Sequence, residues 1–156
     1  MASLLRSLLT KLISSRRRGT VAGRISPSTA HSSMTFNQFT KLLIKSRICS
    51  ESEARDATEA FTAECRSLET APSVESFCEF LVAPNRLTEW QCGKLREGKW
   101  RGFHLDHYLF LGHVGKDSVS SSYKACDTRD GSFVLLAITP RNRTDVRIEY
   151  RVYPYL

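Results

Sequence analysis

Residues 108–139, YLFLGHVGKDSVSSSYKACDTRDGSFVLLAIT, decide the fold class. Three β-rich runs, Tyr108–Val114, Val119–Cys126 and Ser132–Thr139, are separated by polar and glycine-bearing stretches, the pattern of strands joined by turns. Asp130-Gly131 is a hairpin signal, because glycine adopts the positive φ that a tight turn demands. Downstream, Val146, Ile148, Tyr150 and Val152 alternate with Arg147, Glu149 and Arg151, which predicts a fourth strand, Val146–Tyr153, with one wet face. The spacing predicts an antiparallel meander over residues 103–156.

Upstream, between Met34 and Gly102, the apolar period changes from two to about 3.6, and the punctuation predicts four short helices. The first covers Thr35–Arg47, with Phe36, Phe39, Leu42 and Leu43 on one side. Ser50 and Glu53 stand at capping-box spacing and open a second helix, whose stripe runs Ala54, Ala57, Phe61, Cys65, Leu68 until Pro72 stops it. A third spans Ser73–Ala83 with Phe77, Phe80 and Leu81 inward. Thr88 and Gln91 form another capping box, opening a helix through Arg96 with Trp90 and Leu95 as its buried residues. Glu51, Glu53, Asp56 and Glu59 read as a solvated acidic face favoured by the helix dipole. The fold class is therefore α+β, with short helices followed by a small antiparallel sheet. Three segments are expected: a basic leader (1–33), a helical module (34–102) and a strand segment (103–156).

The chain has 156 residues, with 23 Lys and Arg against 16 Asp and Glu. That length excludes a large enzyme, and no run approaches the roughly 20 apolar residues of a membrane span. Six of the seven net positive charges lie in residues 1–33, as Arg6, Lys11, Arg16, Arg17, Arg18 and Arg24 with no acid. The remaining body is nearly neutral and offers no specific nucleic-acid surface. In the leader, Leu4, Leu5, Leu8, Leu9, Leu12 and Ile13 recur near helical spacing. Four readings of it stay open: an organellar transit peptide, an anchor touching a membrane surface, a weak nucleic-acid arm, or a dispensable leader with Met34 as the working start.

Cys49, Cys65, Cys78, Cys92 and Cys126 contain no C-x-x-C pair and are odd in number, so free, mostly buried thiols in a reducing, cytoplasmic setting are expected rather than structural zinc. His104, His107 and His113, drawn with Cys92, fit no standard metal template and read as surface or hinge residues. Ser118, Ser120, Ser121 and Ser122 make no nucleophile elbow and read as a polar strand edge.

Leu87-Thr88-Glu89-Trp90-Gln91, then Tyr108 through Gly115, then Ser122 through Gly131 and Phe133 through Pro140, together resemble the start of a bacterial serine/threonine protein kinase, in which a helical module with an LT-x-x-Q helix precedes the first strand. The resemblance covers residues 87–140, and Tyr123 and Ala125 match the family. In that family a glycine-rich loop folds over the ATP phosphates and offers them its N–H groups. The resemblance implies a degenerate nucleotide loop made of Val114, Gly115, Asp117, Ser120 and Ser122: Gly115 takes the first glycine, Asp117 and Ser120 replace the second and third, and Ser122 replaces the valine over the adenine. Asp117 brings a carboxylate towards polyphosphate and loses glycine's freedom. Ala137 stands at the usual lysine position, and neither Lys116 nor Lys124 is placed to rescue it.

The chain contains no H-R-D and no D-F-G, so catalytic residues and metal ligands are both expected to be absent, and phosphoryl transfer is not expected of it alone. The resemblance implies a kinase-derived, non-catalytic protein-interaction module, with a protein partner such as a full-length kinase. The rival readings are a remnant of a disrupted kinase gene and a residual ATP-binding half of a split kinase. ATP and Mg²⁺ enter as cofactors only where the degenerate loop still binds them.

Overall fold

The computed structural model describes residues 34–139 and 149–155. The expected leader helix, and Val146, Arg147 and Ile148 of the fourth predicted strand, lie outside the described residues. Four helices, α1 (Phe36–Ser46), α2 (Glu51–Ser67), α3 (Val74–Val82) and α4 (Glu89–Arg96), precede five strands: β1 (His104–Leu105), β2 (Tyr108–Lys116), β3 (Ser121–Asp127), β4 (Phe133–Thr139) and β5 (Glu149–Pro154). The strands pair consecutively and antiparallel in the order β1-β2-β3-β4-β5, so the fold is α+β and the sheet a meander.

Each helix begins where a side-chain oxygen replaces a missing turn. Thr35, Ser50, Ser73 and Thr88 are the N-caps, and the first, second and fourth complete capping boxes with Gln38, Glu53 and Gln91. Such a cap contributes about 1 kcal/mol. The ends differ from expectation at α2. Pro72 does not stop it; the helix closes at Ser67, Glu69 turns left-handed at φ 54°, and the Thr70 N–H returns to the Cys65 carbonyl. Leu68, expected in the buried stripe, is thereby rotated off the packed face and is 64% exposed.

Phe39, Ala54, Ala57, Phe61, Phe77, Leu81 and Leu95 form a core that also contains Phe103, Leu109, Leu111 and Cys126. Helical and strand segments therefore share one apolar interior. Residues on β2 alternate between this helix-covered face and the opposite one, where Tyr108, Phe110, Ala125, Val134 and Leu136 build a second cluster. Trp90, half-buried, touches both. The sheet curls around the second cluster, and the Tyr150 hydroxyl on β5 donates to Asp106 in the β1–β2 turn at 2.6 Å.

The alternation in β5 predicted one buried face, but only Tyr150 is half-buried and Val152 is 41% exposed. The reason is the face: Val152 pairs with Leu136 and Tyr150 with Ile138, so both lie on the second-cluster side of the sheet, opposite the side that the helices cover. The serines also fall differently: Ser121 and Ser122 open the central strand, while Ser118 and Ser120 sit in the turn before it.

Candidate functional site

The β2–β3 hairpin carries the residues singled out as a degenerate nucleotide loop. Gly115 pairs with Ser122 and Lys116 with Ser121, so the connection is four residues, Asp117 to Ser120. The Asp117 N–H donates to the Ser120 carbonyl at 2.9 Å. Its carboxylate then folds back: Oδ1 accepts the N–H groups of Val119 at 2.7 Å and Ser120 at 2.6 Å, and Oδ2 accepts the Ser120 hydroxyl at 3.0 Å. The Val119 and Ser120 N–H groups are thus taken by an internal anion, and with the Ser120 bond first they hold the Asp117 carboxyl below its ordinary pKa.

Gly115 is not glycine for conformational reasons here. It has no left-handed φ, and a Cβ added to it meets nothing within 4 Å. Val114 is 58% exposed. One row across the sheet runs Gly115, Ser122, Ala137 and Arg151. The hairpin and Ala137 therefore share one row, in which Ala137 brings no charge and the cation comes from β5. Lys124 lies 5.5 Å from the Phe133 ring centre and 4.7 Å from that of Tyr155.

The histidines are not gathered. His104 Nε2 contacts the Arg47 carbonyl at 3.0 Å, His107 lies against Tyr108 with Nε2 3.6 Å from Asp127, and His113 packs edge-on to Tyr123. Among the described residues no group of three or more His, Cys, Asp or Glu side chains converges as metal ligands would. All five cysteines are free thiols; Cys49 is half-buried and the others are buried. Burial, with a smaller contribution from Glu53, pushes Cys49 up to about 11, and burial with Asp127 does the same to Cys126. The Cys92 thiol is likewise pushed up, by its hydrogen bond with Cys78 and by burial. These three thiols are held away from the reactive thiolate form.

At the β3–β4 turn, Arg129 grips Asp127 with two bonds, Nε to Oδ1 at 3.0 Å and Nη2 to Oδ2 at 2.7 Å, and the Arg129 N–H adds a third. Gly131 at φ 77° completes the turn, as Asp130-Gly131 predicted. The Arg129 guanidinium lowers the Asp127 carboxyl to about 2. A carboxylate with a depressed folded-state pKa contributes stability that is present above its unfolded value near 4 and is lost as pH falls through about 2. Asp127→Asn should therefore lower the thermal midpoint at neutral pH, with the gap to wild type closing between about pH 4 and pH 2. A gap that stays constant through that window would remove Arg129 as the cause.

Two features had no signal strong enough to be read in advance. The first is what Thr88 and Gln91 do beyond capping α4. The Thr88 hydroxyl donates to the Leu111 carbonyl at 2.6 Å and Gln91 Nε2 donates to the Phe110 carbonyl at 2.8 Å, clamping the helix start onto β2 beside a register shift between Phe110 and Gly112. The second is a cleft of about 330 Å³ at the mouth of the curled face. Trp90, Phe103, Phe110, Tyr123 and Ile138 contribute apolar surface to it, and Lys94, Lys99 and Arg101 contribute charge. Only the interleaving in residues 94–101, KLREGKWR, hinted at it. Comparison with family models, curated proteins and solved structures finds no match to this chain.

Proposed function

We propose that the chain is a kinase-derived, non-catalytic protein-interaction module that works in the cytoplasm. The observation that carries this reading is the Asp117 carboxylate bonded to the Val119 and Ser120 N–H groups, which occupies the donors a nucleotide would need. Ala137 in the lysine position acts in the same direction, because it leaves the β4 position of that row uncharged. A residual ATP-binding role is disfavoured by both. Partner contact is supported at the other side of the sheet, where β5 pairs only with β4 among the described residues and Val152, Tyr153 and Tyr155 are each more than 40% exposed.

The test is the thermal midpoint of the full chain with and without saturating Mg-ATP, since a ligand that binds the native state must raise it. No shift is expected, and an upward shift would overturn the reading. A photo-crosslinker at Tyr153 should then give a product containing a protein kinase, where the same group at Glu59 on the acidic face of α2 gives none. Equal labelling from both positions would count against a sheet-borne interface.

A further inference from the structure

The cleft beside α4 combines two properties that seldom meet on a bare surface. Its floor is apolar and only partly covered: Trp90, Tyr123 and Ile138 are half-buried, with Phe103 and Phe110 buried beneath them. The rings are already ordered against each other, Trp90 meeting Phe103 at 5.9 Å and Tyr123 at 6.2 Å, and Phe110 meeting Tyr123 at 5.0 Å. Rigid aromatic surface of this kind anchors partners at low entropic cost. Its volume, about 330 Å³, falls at the lower end of the roughly 300–1,000 Å³ of ligand sites.

The rim supplies the sign of the charge. Lys94, Lys99 and Arg101 line the cleft. Glu97 accepts from Lys94 at 3.2 Å and from Lys99 at 2.7 Å, so one acid is shared between two ammonium groups. Arg101 stacks 4.4 Å from the Trp100 ring centre, and among the described residues no carboxylate makes an ion pair with it. The local balance is positive, and the low-dielectric floor strengthens whatever meets it. A free inorganic anion would satisfy the rim and leave the floor wet. The chain's own residues 1–33 carry six basic side chains and no acid, and so offer the rim no counter-charge.

We infer that this cleft is the docking site for an acidic peptide segment of the partner, with one aromatic side chain seated on Trp90 and Tyr123 and its flanking carboxylates held by Lys99 and Arg101. The inference rests on the interaction-module reading and names the chemistry of its partner. Recognition follows from charge complementarity at the rim and desolvation of the anchor at the floor.

The experiment is fluorescence anisotropy of a labelled Asp-Glu-Trp-Glu-Asp peptide titrated with the full chain. Binding that weakens with added salt is expected. An Asp-Glu-Ala-Glu-Asp peptide, and wild-type peptide against Lys99→Glu with Arg101→Glu, should each bind at least about tenfold more weakly. Both substituted side chains are exposed, so the variant should keep the wild-type thermal midpoint within a few degrees. Unchanged affinity of that variant, equal binding of a Lys-Arg-Trp-Arg-Lys peptide, no binding at all, or displacement by Mg-ATP would each overturn the inference. A kinase crosslink at Tyr153 without peptide binding would sink this inference alone. Peptide binding together with a Mg-ATP shift that survives Lys99→Glu with Arg101→Glu would sink the non-catalytic reading alone.

Discussion

Replacing Phe77 by alanine is expected to destabilise the protein by about 3–5 kcal/mol, a large share of the roughly 5–15 kcal/mol that holds a domain folded. Phe77 is fully buried on the nine-residue α3 and lies at the centre of an aromatic cluster. Its ring centre is 5.1 Å from Phe36, 6.0 Å from Phe39, 5.0 Å from Phe61 and 6.3 Å from Phe80. Those rings come from α1, α2 and α3, so the cavity left behind has no single side chain able to collapse into it. A helix of this length has little stability of its own and depends on that packing. Urea denaturation should show a lower midpoint with an unchanged slope. Leu68→Ala is the control, because an exposed residue of the same stripe should change stability by no more than about 0.5 kcal/mol. A cost for Phe77→Ala below about 1 kcal/mol would mean that the helices do not pack around that ring.

The second large effect is expected at Gln91. It is 1% exposed, its Oε1 accepts the Thr88 N–H at 2.9 Å and its Nε2 donates to the Phe110 carbonyl. Alanine would strand both partners; at about 1–3 kcal/mol for each unsatisfied buried group, the loss should be about 2–6 kcal/mol. Gln91→Glu separates the two contacts. A carboxylate still accepts from Thr88, but it faces the Phe110 carbonyl without a proton to give. That variant should be destabilised at neutral pH and recover as the carboxyl protonates in mild acid. Thermal midpoints measured across that range check the claim, and a Gln91→Glu protein as stable as wild type at pH 7 would show that the Phe110 contact contributes little. Because Thr88 and Gln91 tie the helical module to the first long strand, their substitution should also open the cleft that Trp90 borders.

These residues show where local reading succeeds. Ser50 with Glu53 and Thr88 with Gln91 were legible as caps because a capping box is decided by a side chain reaching its own backbone three residues away. Asp130-Gly131 was legible for the same reason: the turn needs a positive φ and glycine supplies it. Asp117 drew notice only through the resemblance, as a carboxylate where a glycine was expected, and not as the group that closes the turn. That depends on the hairpin geometry bringing the Val119 and Ser120 N–H groups to its oxygens.

By itself, then, the sequence determined the α+β class, the order of the helices and of the four longer strands though not the two-residue β1, most helix starts and the main hairpin turn, because each follows from periodicity or from contacts within a few residues. Only the tertiary structure decided that β5 is left bare, that Gln91 clamps Phe110, and that Trp90, Tyr123 and Lys99 border one cleft. Those outcomes depend on which face of the sheet each element covers, and residues 91 and 110 or 99 and 123 become neighbours only when chain-distant backbone is packed together.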